Sequence, residues 1–257
     1  MIKDARLKDE EEERVVVTTK QAHAVAQSAT VDGVFRERLA AEPDAEFVKC
    51  GSRWLTFAQL DDRTDRLAAG LASLGVGRGT MIATILPNRI ETVEILLAVA
   101  KLGAVQVPLN YWLKGEFLAY QLDDCGASML MADDPGYAAA KDLLGATGIT
   151  RCVLVDDILA GAPDDVTRYA DLFGVRGTFE PASGASDLVS VMYTSGTTAE
   201  AKGCMLSSGY YVSVVDIRAA LPVNALSRVM KHVLRDEGVT GAMWDLDKLG
   251  LVATRKP

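Results

Sequence analysis

One stretch of the chain gathers the groups that could do chemistry: Tyr193-Thr194-Ser195-Gly196-Thr197-Thr198-Ala199-Glu200-Ala201-Lys202-Gly203. Thr194, Ser195, Thr197 and Thr198 surround Gly196 with hydroxyls, and Lys202 follows the glycine by six positions. Backbone N–H groups, hydroxyls and one ammonium in a short loop suit a polyphosphate, whose oxygens carry charge and each accept several hydrogen bonds. The apolar run Leu188-Val189-Ser190-Val191-Met192-Tyr193 leads in and Cys204-Met205-Leu206 leads out. A strand–loop–strand hairpin beside a nucleotide is therefore expected. The common P-loop is a different motif, with glycine just before the lysine and Ser or Thr just after it; Ala201 and Gly203 occupy those places here. The plain alternative is a polar turn of no chemical consequence. A bare Gly-Thr-Thr would be read that way, but the whole string is far more specific.

The string resembles the phosphate-loop signature of the AMP-forming adenylating enzymes: acyl- and aryl-CoA synthetases, peptide-synthetase adenylation domains and luciferases. Two positions depart from it. Ala199 stands where the family usually has Gly, and Ala201 where it has Pro; both are small, although alanine lacks glycine's access to positive φ. Trp54-Leu55-Thr56-Phe57-Ala58-Gln59-Leu60 is similar to the family's first motif, an aromatic after a Thr cap followed by a helix. Lys101-Leu102-Gly103-Ala104-Val105-Gln106-Val107-Pro108-Leu109-Asn110 is similar to its second, a helix end running into a buried strand. Met81-Ile82-Ala83-Thr84-Ile85-Leu86-Pro87-Asn88 fits the strand between them. The resemblance covers 30–211, and its details look closest to crotonobetaine/carnitine–CoA ligase-like and other carboxylic acid–CoA ligases.

A second resemblance is displaced toward the end. Residues 221–235, from Leu221 to Arg235, look like the family's C-terminal motif, a Pro-led loop followed by a basic helix. That motif normally lies near the end of a much longer protein. Nothing here resembles the adenine-binding loop, the Glu that helps hold magnesium, the Asp that grips the ribose, or the interdomain hinge. The absent part is thus expected to be internal, with a join between Tyr211 and Ala220 left by a deletion or a sequence-assembly error. Three segments are expected: a charged disordered tail at 1–28, a partial N-terminal AMP-binding domain at 29–213, and a remnant of the small C-terminal domain at 214–257.

What the resemblance implies is a two-step reaction. A carboxylate attacks the α-phosphorus of ATP, giving acyl-AMP and pyrophosphate, and the CoA thiolate then displaces AMP. Positioning and charge stabilisation dominate such chemistry. Thr194, Ser195, Gly196, Thr197 and Thr198 would cradle the β- and γ-phosphates, Lys202 would supply a point charge, and Thr197 or Thr198 would approach the Mg shell. In the tail, Arg228 stands where the family has the lysine that bridges acyl carboxylate and phosphate; arginine keeps the charge but its planar fork does not replace an ammonium. Lys231 lies one turn further on. The plain reading of Arg228 and Lys231 is a solvated basic face, with His232 a surface histidine. Many relatives carry His where Ser208 stands, close to the acyl pocket. His23 has no context.

Composition fits an α/β protein. The chain has 257 residues, 49% hydrophobic, and a net charge of −8. That length allows a real core. The acidic balance argues against a general nucleic-acid binder, because phosphate backbones attract basic faces. Cys50, Cys125, Cys152 and Cys204 lack CxxC spacing and are expected as free thiols in a reducing cytosol. The opening residues are charged rather than apolar, so no signal peptide is expected, and the location expected is cytoplasmic. The richest apolar stretch, Ile95 to Leu109, is broken by Lys101 and falls short of the ~18 residues of a membrane span.

From Asp32 the elements alternate. Helical spacing runs from Gln59 to Leu74, a strand follows over Met81–Leu86, and a helix over Arg89–Leu102 is apolar on most faces. Val105–Pro108 is expected as a strand, Gly115–Cys125 as a helix, Ser128–Ala132 as a strand, Gly136–Leu144 as a helix and Cys152–Val155 as a strand. Residues 160–184 read as a loop-rich connector. The fold class expected is α/β, an adenylate-forming-enzyme-like N-terminal domain with a mainly parallel sheet and flanking helices, incomplete, plus a short C-terminal remnant. An incomplete sheet would expose apolar surface and strand edges, which invites self-association. Three functions follow: an impaired or inactive acid–CoA ligase, a non-catalytic nucleotide-binding remnant acting with a partner, or an unrelated phosphate-loop ATPase or kinase, the last disfavoured by the residues flanking Lys202.

Overall fold

Two threonines set the starts of the first two helices in the computed structural model, which describes residues 30–50, 52–156, 166–179, 184–194 and 201–213. Thr30 caps α1 (Val31–Ala41), its hydroxyl accepting from the Gly33 N–H. An antiparallel hairpin follows, β1 (Glu46–Cys50) and β2 (Arg53–Thr56). Thr56 then caps α2 (Phe57–Ser73): its hydroxyl accepts from the Gln59 N–H while the Gln59 side chain accepts from the Thr56 N–H. This capping box satisfies two donors that a helix start leaves open.

Strands and helices alternate after that. In order they are β3 (Met81–Ile85), α3 (Ile90–Leu102), β4 (Val105–Pro108), α4 (Gly115–Asp124), β5 (Met129–Ala132), α5 (Asp134–Ala140), β6 (Arg151–Leu154), β7 (Val166–Arg168), β8 (Leu188–Thr194), β9 (Lys202–Ser207) and the short α6 (Ser208–Ser213). The seven-stranded sheet has the order β7-β6-β5-β3-β4-β8-β9. Every pairing in it is parallel except β8 with β9. The alternation of strand and helix read from the sequence holds from β3 to β6.

Period-two alternation sorts the strand side chains onto two covered faces. Met129 and Met131 join Ile82 and Val153 under Leu67 and Leu71 of α2 and Ile95 and Val99 of α3. Leu130 and Ala132 join Ala83, Ile85, Val105 and Val107 against Leu118 and Leu122 of α4. A third cluster, built on Phe35, Phe57, Leu60 and Ile90, fastens α1 and β2 to α2 and α3.

Two expectations change. Residues 160–184 are not wholly connector: β7 adds a strand beside β6, and Tyr169–Leu172 form a 3₁₀ turn with Tyr169 and Leu172 buried in the core. Three residues are too few to show a period, so composition hid them. The helix expected over Gly136–Leu144 begins earlier and stops at Ala140, because Asp133 caps it through the Gly136 N–H and Pro135 suits the first turn; Leu144–Ala146 form a separate 3₁₀ turn.

Lys101, the charge that interrupts the apolar stretch of α3, is fully buried. Its Nζ donates to Asp61 Oδ1 at 2.8 Å, Asp65 Oδ1 at 2.6 Å and Thr64 Oγ1 at 2.8 Å. Arg176 reaches the outer oxygens of the same carboxylates, Asp61 Oδ2 at 2.6 Å and Asp65 Oδ2 at 2.7 Å. Two cations meet two anions, and the 173–179 segment is pinned to α2. Glu94, also fully buried, is met by Arg63 and by the Tyr169 hydroxyl at 2.8 Å. Burial first, and then Glu94, pushes the Tyr169 phenol well above its ordinary range.

Candidate phosphate site

The hydroxyl-rich segment connects β8 to β9 in the chain. These strands pair antiparallel from Leu188 opposite Ser207 to Thr194 opposite Lys202. Directly opposed residues share a face, so Thr194 and Lys202, both exposed, stand opposite one another at the ends of the two strands, the mouth of the loop. Gln106 opposite Ser190 is the bridged pair that joins β8 to the parallel sheet through β4. The mouth therefore opens at the carboxyl side of β8, the side on which open α/β sheets bind ligands. The hairpin expected from the flanking apolar runs is present.

Ser195, Gly196, Thr197 and Thr198 lie outside the described residues, as do Arg228, Lys231, His232 and His23. Ser208 is buried, and its Oγ accepts from the Val31 N–H at 2.9 Å. It joins the end of the hairpin to the start of α1. Among the described residues no group of three or more His, Cys, Asp or Glu side chains could hold a metal ion, and none of their helices is long and apolar enough to cross a membrane. The described cysteines are free thiols; burial raises the Cys125 thiol above its ordinary range.

Two arrangements carry no local signal in the sequence. The Tyr193 hydroxyl donates to Asp124 Oδ2 at 2.5 Å, linking positions far apart in the chain. At the carboxyl ends of β3, β5 and β6, Arg89 Nη1 donates to Asp156 Oδ1 at 2.7 Å, and Asp156 Oδ2 accepts from the Asp134 N–H at 3.2 Å. Asp133 accepts from the Tyr111 hydroxyl at 2.9 Å and caps α5. Each carboxylate in this second group already serves a cap or an ion pair, so the group ties loops together.

Two cavities open elsewhere. One of about 350 Å³ is lined by Arg36, Asp61, Asp65, Arg176 and Phe179, where the charges are already paired. A shallow groove of about 460 Å³ is lined by Leu55, Ala58, Gln59, Asp62 and Arg63. Neither includes Thr194 or Lys202.

A mainly parallel sheet that carries a hydroxyl-rich loop at its carboxyl side is the architecture in which phosphorylated ligands are commonly bound. The AMP-binding enzyme family matches residues 35–234, and the chain belongs to that family. It is 33% identical over 183 residues to a medium/long-chain-fatty-acid–CoA ligase of Mycobacterium tuberculosis, covering 70% of this chain and 29% of that protein. It is 36% identical over 172 residues to a feruloyl-CoA synthase of an Amycolatopsis species, covering 67% of this chain and 32% of that protein. Among solved structures, the anthranilate CoA ligase AuaEII in complex with anthranoyl-AMP shares the fold, with a TM-score of 0.67 and 22% identity over 73% of this chain and 36% of the other. The chain thus spans about a third of the length of these relatives.

Proposed function

We propose that this chain holds the polyphosphate of ATP as part of an ATP-dependent carboxylic acid–CoA ligase framework. The observation that carries the reading is the pairing of Thr194 with Lys202 across the loop mouth, within a chain of the AMP-binding enzyme family. Thr194, Ser195, Gly196, Thr197 and Thr198 cradle the β- and γ-phosphates, and Lys202 adds a point charge. Thr197 and Thr198 are the residues for magnesium, which would neutralise phosphate charge when bound. Arg228 takes the place of the family's bridging lysine. In this reading 29–213 is the partial AMP-binding domain, 214–257 the remnant of the small domain and 1–28 a tail. ATP, a small carboxylic acid and CoA are the substrates of the framework, and the cytoplasm is its place.

Binding and turnover are separate matters. Fast reaction needs the adenine, ribose, metal and carboxylate fixed together, and a misplacement of about 1 Å can cost about a hundredfold. Apart from the phosphate set, the sequence matches only Arg228 to such a contact. Calorimetric titration of the chain with ATP·Mg is expected to show weak binding that Lys202→Ala reduces about tenfold, the loss of one charge-assisted contact. Equal binding by wild type and variant removes Lys202 from the site. Given ATP, magnesium, CoA and a panel of short and medium carboxylic acids, the same chain is expected to release no AMP above background. Robust acyl-CoA formation would overturn the expectation of impaired turnover. The second reading, a non-catalytic nucleotide-binding remnant, is favoured by Arg228 standing where the family has its bridging lysine; binding without pyrophosphate exchange would select it.

A further inference from the structure

The outer half of β8 is held unevenly. Ser190 is bridged to β4, but Val191 to Thr194 pair only with β9 among the described residues. Tyr193 reaches across instead. Its ring packs on the face covered by α4, beside Val191, and its hydroxyl meets Asp124, the last residue of that helix. A carboxylate at a helix C-terminus faces the negative end of the helix dipole, so a donor there relieves Asp124. Gly203, directly opposite Tyr193, leaves room for the ring: a Cβ at this position would lie 3.0 Å from Val191 Cγ1 and 3.5 Å from Tyr193 Cζ. Burial, with Asp124 next, pushes the Tyr193 phenol far up, which keeps it a neutral donor to the carboxylate.

We propose that Tyr193 and Asp124 are positioning residues for the phosphate site: their contact fixes the outer end of the β8–β9 hairpin and, with it, the adjoining pair Thr194 and Lys202. The proposal rests on reading Thr194 and Lys202 as phosphate contacts. Thr194 follows Tyr193 directly, and Lys202 precedes the glycine opposite it, so a shift of the Tyr193 ring moves both. Neither Tyr193 nor Asp124 touches the ligand in this arrangement.

The test uses the full chain, ATP·Mg as the probe, and four variants: Tyr193→Phe, Asp124→Ala, Asp124→Asn and the Tyr193→Phe/Asp124→Ala pair. Tyr193→Phe and Asp124→Ala are each expected to weaken ATP binding about threefold to tenfold, the span of one lost hydrogen bond. Asp124→Asn keeps an acceptor oxygen and is expected to stay within about twofold of wild type. The double variant is expected to be no weaker than either single change, since both remove one interaction. Amide hydrogen exchange over 191–194 and 202–205 should quicken in Tyr193→Phe, with Tm little changed. A merely structural contact would lower Tm and leave affinity alone. Wild-type affinity in Tyr193→Phe, or unchanged exchange at both strand ends, overturns the proposal. If the wild-type chain binds no ATP, the phosphate reading itself fails, and the exchange comparison still decides whether the contact fixes the hairpin.

Discussion

Lys101→Met is expected to lower the unfolding free energy by about 3–5 kcal/mol, the cost of stripping one partner from a buried ion pair. The volume is nearly conserved, so packing is not what is lost. Asp61 and Asp65 would keep only Arg176, whose side chain is half exposed at 49% and which lies on their outer side. Their inner oxygens, now bonded to Nζ at 2.8 and 2.6 Å, would face the apolar underside of α3 without a donor. Buried carboxylates in that position must find water or protonate. Urea unfolding followed by circular dichroism measures the loss. Adding Asp61→Asn and Asp65→Asn to Lys101→Met should recover part of it, because the orphaned charges are then gone. A loss under about 1 kcal/mol for Lys101→Met would show that the network is dispensable.

The second large effect is expected from Gly70→Ala. In an exposed helix interior this exchange stabilises by about 1 kcal/mol, because glycine is a poor helix former. Here the sign reverses. A Cβ on Gly70 would lie 2.2 Å from the Leu172 carbonyl oxygen and 2.8 Å from Leu172 Cα. Both obstacles are backbone, so neither can swing aside; α2 and the 3₁₀ turn at Tyr169–Leu172 must separate. A loss of about 3 kcal/mol is expected, at the upper range for overpacked cores. Gly77→Ala, with nothing within 4 Å of the added carbon, is the control and should be close to neutral. Thermal unfolding of both variants checks the pair. A Gly70→Ala protein as stable as wild type would mean that the 169–172 turn does not sit on α2.

Much of this was legible in the residues, for physical reasons. The central strands announce themselves because both faces are covered, which favours near-continuous apolar runs such as Met81–Ile85, broken only by Thr84, and Met129–Ala132. The start of α2 was implied by the resemblance, which sets a Thr cap before a helix at this point, and Thr56 is that cap. The hairpin around the hydroxyl-rich loop followed from its apolar flanks, and the pairing of Thr194 with Lys202 agrees with it. Other features had no local signature. The hairpin β1–β2 is mostly solvent-facing, so its residues carry little hydrophobic pattern. Lys101 looked like an interruption in an apolar helix; only the approach of α2 and of Arg176 turns it into the centre of a network. Asp124 is an ordinary acidic residue at a helix end until Tyr193 arrives from a distant strand. Long-range contacts between polar groups are set by the fold, and no spacing rule within one segment encodes them.

The strand order has a consequence for how the hairpin comes and goes. β4 finds one neighbour early, Val105 opposite Met81, and the other late, Gln106 opposite Ser190. The first pairing closes about 24 residues and the second about 84, so the second carries an additional closure entropy of about 1 kcal/mol. The bridged pair, the burial of Val189 and Val191, the Tyr193–Asp124 contact and the Ser208 contact to α1 offset it. As the chain is made, β3 to β7 can assemble before β8 exists. In the finished molecule, β8 and β9 are joined to the parallel sheet through β4 alone, so an opening at that seam takes Thr194 and Lys202 with it. Amide protection over 188–194 should then be lower than over 81–85, with exchange by local opening rather than global unfolding. Equal protection would place the hairpin in the same cooperative unit as the central strands. Lower protection would make the strands that carry Thr194 and Lys202 the ones that a bound polyphosphate, on the proposed reading, orders most.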